Sequence, residues 1–171
     1  MTDKHLVVLR AMDKITRSTD MDEFLRAVGF SFAELAETLK ELAKDGFVTK
    51  TGKGYAIAEK GKLALKAFSV LPEDKWFFLY IGIDQPVGVS ARSIKEFYDV
   101  VGSVAPGSLE FHLGREDFEN WFKAAIEDEV FAGELAGLKQ TGLKGEDLRK
   151  QILLNLQARF GEDVLSREWE P

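Results

Sequence analysis

The residues best suited to chemistry are concentrated in one stretch, Ser108 to Phe122, with the sequence SLEFHLGREDFENWF. It holds His112, one of two histidines in the chain, together with Glu110 and Arg115. A histidine beside a carboxylate suits general acid–base catalysis, provided that a nucleophile or a metal-bound water lies nearby. The stretch therefore raises an enzyme hypothesis, and the alternative is a strand that leads into a capped helix.

The pattern of this stretch favours the structural alternative. Apolar residues at every second position from Ser108 to Leu113 predict a strand, with Glu110 and His112 together on its polar face. A helix is predicted from about Arg115 to Ile126, and acids in its first turn would complement its free N–H groups. Capping accounts for those acids, so Glu110 beside His112 remains the unexplained pair.

A second feature that could bind a ligand lies just upstream. Residues Trp76 to Ile81 predict a strand that is covered on both faces, and residues Gly82 to Val89 predict a loop. Arg92 lies at the start of the next helix, which Ser93 caps, and an anion could bind there. The candidate ligand pocket consists of Glu110, His112, Arg115 and Arg92.

The composition of the 171 residues predicts a folded, cytoplasmic protein. Hydrophobic residues make up 45% of the chain, which is enough for a substantial core. Cysteine is absent, which excludes disulfides and thiolate metal sites. The N-terminal sequence does not have the pattern of a secretory signal, and no apolar run is long enough to span a membrane. Since one histidine with scattered carboxylates lacks ligand spacing, we predict no metal site, no cofactor and no catalytic residue.

Charge divides the chain into two parts. Residues 1–70 carry 12 Lys and Arg against 10 Asp and Glu, a net charge of +2. Residues 71–171 carry 11 against 19, a net charge of −8. An acidic surface repels polyanions, so any contact with nucleic acid is expected from the first part.

The first part has the element order helix, helix, turn, helix, hairpin, helix. The segment Met21 to Leu65 includes DGFVTK after the third predicted helix and YAIAEKGKLAL after the hairpin. In these residues, and over about residues 5–68, the chain resembles the winged helix-turn-helix regulators of bacteria and archaea. The resemblance implies DNA binding, with the third helix in the major groove and the hairpin, or wing, on phosphates.

The residues that the resemblance assigns to DNA lie on the third helix, around its start and around the wing. They are Ser31, Thr38, Lys40, Lys44, Lys50, Lys53 and Lys60. The same helix carries Glu34, Glu37 and Glu41, which oppose binding to phosphates unless the lysines offset them. Two alternatives therefore stay open: an adaptor that binds protein partners through both domains, and an enzyme with a site around His112.

The second part resembles a domain of uncharacterised archaeal proteins over about residues 75–160. The resemblance lies in the segments IGI, GVSA and SLEFHL, and it implies a separate domain of unknown activity. The sequence thus predicts an α+β protein in two domains. Residues 1–71 form a winged helix-turn-helix, and residues 72–171 form an α+β domain with a small sheet flanked by helices. The second domain is expected to dimerise or to sense a small-molecule or protein effector, giving a homodimer on double-stranded DNA.

Overall fold

The computed structural model describes residues 1–15, 21–52 and 54–166. The chain is mostly helical, with two antiparallel sheets of two strands each in the described part. The described residues form two compact units, Met1–Lys66 and Ala67–Ser166. The division falls a few residues before the predicted boundary at residues 71 and 72. No helix among the described residues is long and apolar enough to cross a membrane.

The N-terminal unit follows the predicted order of elements. Its helices and strands are α1 Asp3–Lys14, α2 Met21–Val28, α3 Phe32–Lys44, β1 Val48–Thr51, β2 Gly54–Ile57 and α4 Glu59–Ala67, which ends at the boundary. α1 packs against α2, α3 and β2, and α3 also packs against β1. The core of this unit includes Leu9, Leu35, Leu42 and Phe47.

Local side-chain caps fix the starts of α1 and α3. Thr2 accepts the backbone N–H of His5, and the His5 ring accepts the backbone N–H of Thr2 in return. Ser31 and Glu34 make the same reciprocal pair at α3, as the sequence predicted. These bonds satisfy N–H groups that have no partner within the helix.

Two apolar residues of this unit lie on the surface although the sequence predicted them to face inward. Met21 and Phe32 are 49% and 64% exposed. Each is the first residue of its helix, where the chain has not yet turned its apolar stripe toward the core. The apolar periodicity therefore predicts which side chains of a helix are buried only from its second turn onward.

The C-terminal unit is a helical bundle with one hairpin. A short 3₁₀ turn at Glu73–Lys75 lies near its start. The elements that follow are β3 Phe77–Gly82, β4 Gln85–Ala91, α5 Ile94–Ser103, α6 Pro106–Gly114, α7 Asp117–Ala124, α8 Glu129–Gln140, α9 Gly145–Phe160 and α10 Glu162–Leu165. The predicted stripe of α9 is confirmed, because its inward side chains are all buried: Leu148, Ile152, Leu156 and Phe160.

The predicted loop after β3 is instead mostly a strand. β4 pairs antiparallel with β3 from Phe77 opposite Ala91 to Gly82 opposite Gln85. Ile83 and Asp84 form the two-residue turn, and Asp84 has a φ of +57°. β3 was also predicted to be covered on both faces, and this is wrong. Its buried residues alternate with exposed ones, so one face packs on the core and the other does not.

The segment from Ser108 to Leu113 is helical, not the predicted strand. It lies in α6, which has Pro106 at its first turn. The residues that α6 buries are Ser108, Leu109, His112 and Leu113, a spacing of one helical turn. The apolar alternation that predicted a strand therefore arises because Phe111, an intermediate residue, lies at the edge of the buried stripe.

Candidate functional site

His112 is held by hydrogen bonds at both ring nitrogens. Its Nε2 accepts the backbone N–H of Tyr80 at 2.8 Å, which places the ring proton on Nδ1. Nδ1–H then donates to Asp117 Oδ2, also at 2.8 Å. The residue is 3% exposed, and the Phe77 ring centroid lies 4.9 Å from that of the imidazole. Neither nitrogen is free to accept a proton from a substrate or to bind a metal ion.

Burial lowers the pKa of His112, and only part of that effect is offset by Asp117, whose hydrogen bond and charge raise it. Arg115 lowers this pKa further through its positive charge. Because removal from water disfavours the imidazolium, the neutral ring is the form that fits these contacts. His112 therefore joins β3 to α6 and α7.

Glu110 lies away from His112, which separates the predicted pair. Two residues apart on a helix are about 200° apart around its axis, so their side chains point to different sides. Glu110 Oε1 accepts the backbone N–H of Gly145 at 2.9 Å. Gly145 is the first residue of α9, whose preceding residue makes no side-chain cap. Glu110 therefore caps α9 and does not belong to the cleft.

Two of the acids after Arg115, Asp117 and Glu119, lie in the first turn of α7 as predicted, but the helix has no side-chain cap at its start. Glu116 precedes the helix with a φ of +66° and forms no side-chain cap. It accepts a hydrogen bond from Lys139 at 2.8 Å instead. Asp117 binds His112, and Glu119 is buried at 5% exposure. Among the described residues, Glu119 Oε1 has no hydrogen-bond partner, and burial raises the pKa of this carboxyl.

The two arginines of the predicted pocket are separated as well. Arg115 Nε lies 3.2 Å from Asp117 Oδ2, and its guanidinium lies over the Phe111 ring. Arg92 forms a two-pronged pair with Glu96, with Nη2 to Oε1 at 2.6 Å. The Arg92 guanidinium also lies 5.8 Å from the centroid of the Trp76 ring. These contacts hold the Arg92 side chain at the start of α5.

An open cleft of about 470 Å³ lies between the exposed face of β3 and the α6–α7 turn. Its lining combines five aromatic residues with five polar or charged ones, and includes Trp76, Phe78, Tyr80, Phe111, Arg115 and Asn120. Of the four predicted pocket residues, His112 and Arg115 line this cleft, while Glu110 and Arg92 do not. The volume lies within the range of ligand-binding clefts. The mixed lining suits a partner that offers both an apolar and a charged group.

Sequence reasoning missed the strand residues that build this cleft. Trp76, just before β3, alternates with Phe78 and Tyr80 of that strand, so the three share one face, which the continuous apolar run predicts to be covered. Asp84 at the hairpin turn also lines the cleft and was assigned no role. The alternation itself was the available signal, but a continuous apolar run hides which of its two faces is exposed.

The predicted DNA-binding residues of the N-terminal unit have mixed surroundings. Lys40, Lys44 and Lys50 are exposed, and Lys53 lies outside the described residues. Thr38 is buried at 5% exposure and donates to the Glu34 carbonyl, so it cannot reach a DNA base. It lies one turn from both Leu35 and Leu42, which places it on the inward stripe.

Two further candidates are used to cap α3. Ser31 Oγ donates to Glu34 Oε2 at 2.8 Å at the start of the helix. Lys60 Nζ donates to the Asp45 carbonyl at the end of the helix and lies 4.4 Å from the Phe47 ring centroid. To bind DNA, the side chains of Ser31 and Lys60 would have to share these contacts within the protein or give them up.

Comparison with known proteins gives no relative. No family model, no curated protein and no solved structure matches this chain. The two family resemblances therefore remain predictions from the sequence.

Proposed function

We propose that the N-terminal unit is a winged helix-turn-helix that binds double-stranded DNA. In this proposal α3 enters the major groove, and the β1–β2 hairpin contacts the phosphates. The order of elements and the packing of α3 against α1 and β1 support it. The C-terminal unit would then supply dimerisation or effector sensing.

The observation that carries the proposal is the pairing of two acids of α3 with residues of α1. Lys4 Nζ lies 3.3 Å from Glu34 Oε1. His5 Nε2 lies 2.8 Å from Glu41 Oε2. Since His5 Nδ1 accepts the backbone N–H of Thr2, its proton lies on Nε2 and is donated to Glu41. Both acids therefore lie on the flank of α3 that faces α1.

The outer face of α3, beside that flank, has a different charge. Lys40 and Lys44 lie one turn apart on the side away from Leu42 and are exposed, with Glu37 one turn before Lys40 on the same face. This face carries two positive charges and one negative charge. Glu37 is thus the acidic residue of α3 on the face that would meet the groove, while Glu34 and Glu41 are half-exposed and paired on the flank beside α1. Lys50 on β1 adds an exposed positive charge on the hairpin.

Binding of the full chain to a labelled duplex of mixed sequence, followed by fluorescence anisotropy, tests this proposal. The affinity should fall steeply between about 50 and 200 mM salt, because each lysine on a phosphate releases a counterion. A chain that binds no duplex even at the low end of that range would refute the proposal. The protein-binding adaptor would then be the preferred function.

A further inference from the structure

The β3–β4 hairpin exposes an unusual amount of apolar surface. We call the exposed side chains of Phe78, Ile81, Ile83, Val87 and Val89 the hairpin surface. Ile83 is 72% exposed and Phe78 is 53% exposed. From Phe77 to Ala91 the hairpin holds a single charged residue, Asp84, in a chain with 30% charged residues.

This surface has the size of a binding interface. The five side chains lie on both strands and at the turn, and together they expose roughly 400 Å² of apolar area, as much as the largest apolar patches of soluble proteins, which often bind a partner. Two such surfaces in contact, with the polar atoms around them, would bury on the order of 1,000–1,600 Å² in total, the range of a stable complex. The area therefore suffices for a pair of identical chains.

Charge favours a second copy of the chain over this surface. Residues 71–171 carry a net charge of −8, so two copies repel each other over most of their C-terminal units. The hairpin surface lacks that charge. The side chains around it are also complementary in sign, since Asp84 lies at the turn and Arg115 lies at the cleft beside the same hairpin.

Asp84 and Arg115 both have unused bonding capacity. Within the described part of the chain, the Asp84 carboxylate has no hydrogen bond or ion pair. Arg115 uses Nε for Asp117 and leaves its terminal nitrogens without a partner among the described residues. Its side chain is 54% exposed. A carboxylate at the hairpin turn and an exposed guanidinium at the cleft can meet twice in a pair related by a two-fold axis.

We propose that a second copy of this chain covers the hairpin surface. In a two-fold dimer, the hairpin of each copy lies across the aromatic cleft of the other, and Asp84 of each copy pairs with Arg115 of the other. The observations come from the C-terminal unit alone, so this proposal does not depend on DNA binding.

Sedimentation equilibrium of the full chain tests the proposal directly. The expected mass is twice the 19.2 kDa of one chain. Ile83→Lys and Val89→Lys should each raise the dimer dissociation constant at least about tenfold, which is 1.4 kcal/mol of binding free energy. The control is Val130→Lys, because Val130 is 59% exposed on α8, away from the hairpin, and this variant should remain a dimer. Far-ultraviolet circular dichroism confirms that each variant is folded.

Charge exchange tests the two-fold arrangement. Asp84→Arg and Arg115→Asp should each dissociate the dimer, because each places like charges opposite one another at both contacts. Mixing the two variant chains should restore a dimer of one chain of each kind, in which both contacts again join opposite charges. A monomeric wild-type chain would overturn the proposal. So would a dimer that tolerates Ile83→Lys, or a mixture of the two charge variants that stays monomeric.

Discussion

His112 Nε2 accepts the backbone N–H of Tyr80 at 2.8 Å, so a side chain of α6 takes a bond that a neighbouring strand would otherwise make. Ser108, one helical turn earlier, donates its hydroxyl to the Tyr80 carbonyl at 2.6 Å. The two polar groups of the Tyr80 backbone are therefore both satisfied by α6. This attachment fixes the position of β3 relative to α6, and with it the position of the β3 face that lines the aromatic cleft.

The buried imidazole makes stability depend on pH. Burial lowers the pKa of His112 in the folded chain below its ordinary value of 6.5. The folded chain then binds fewer protons than the unfolded chain below that pH. The contribution of His112 to the free energy of unfolding is therefore complete above about pH 6.5 and is lost as the pH falls through the folded pKa.

The variant His112→Gln tests this pH dependence. At about pH 7.5 it should lower the free energy of unfolding by about 2–3 kcal/mol, because buried groups lose their partners. The difference in the free energy of unfolding between wild type and variant should be smaller at about pH 5.5, as urea unfolding at both pH values would measure. NMR titration of the His112 ring gives a direct check. A pKa at or above 6.5 in the folded chain would contradict the neutral, structural role.

Ser108 should be important for stability although its side chain is small. The residue is fully buried, and Ser108→Ala leaves the Tyr80 carbonyl without its 2.6 Å bond. We expect a loss of about 1–2 kcal/mol in the free energy of unfolding, measured in urea. The matched control is Ser103→Ala, since Ser103 is exposed and bonds only within its own helix, to Asp99 and Val100. Equal losses in both variants would mean that the contact with Tyr80 contributes nothing.

Glu119 should destabilise the fold at neutral pH. Its carboxyl is buried, its Oε1 has no hydrogen-bond partner among the described residues, and burial raises its pKa. Glu119→Gln removes the charge while keeping the shape. The variant should gain up to about 1 kcal/mol in the free energy of unfolding at neutral pH.

The pH dependence distinguishes this cause from a packing effect. A raised carboxyl pKa costs stability above the folded value, and the cost disappears below the ordinary value of 4.5. The advantage of Glu119→Gln should therefore vanish in acid. Glu129→Gln on α8 is the control, because Glu129 is exposed, and it should leave stability unchanged within about 0.5 kcal/mol. An advantage of Glu119→Gln that persists in acid would argue against the buried charge.

Lys40 and Lys44 should account for part of the salt dependence of DNA binding. Replacing both with Ala should reduce the slope of log affinity against log salt by about 2, since each phosphate contact contributes about 0.9. Binding should weaken for every duplex sequence. Lys150→Ala, which removes an exposed lysine from α9 in the other unit, is the control and should leave the slope unchanged. A double variant with the wild-type slope would remove α3 from the DNA-binding surface.

The sequence predicted those parts of the fold that depend on short-range bonds. Ser31 and Glu34 are three residues apart, so a cap that joins them is visible in the sequence, and the structure confirms it. Ser93 likewise accepts the N–H of Glu96 at the start of α5. The Glu96 carboxylate, however, accepts the N–H of Arg92 rather than that of Ser93. The local sequence pattern thus predicted where the cap lies, but it did not predict the partner of the Glu96 carboxylate.

The candidate site depended on contacts that the sequence does not display. Glu110 is grouped with His112 only if this segment is the predicted strand. Pro106, at the first turn of α6, is the sign in the sequence that the segment is instead a helix. His112 acquires its role from Tyr80, 32 residues earlier in the chain. Whether an apolar strand is covered on one face or two depends on where the helices pack, which periodicity does not determine. The aromatic cleft could therefore be recognised only in three dimensions.

The attachment of Tyr80 to α6 also limits how far the chain can assemble. A two-stranded sheet with both edges open can add strands on either side, and identical copies can then grow into a filament. Here the side of β3 at Tyr80 is occupied by Ser108 and His112 of the same chain. Strand addition is therefore blocked at Tyr80, on the β3 edge of this sheet. The same two bonds that position β3 thus also oppose growth of the sheet from this edge.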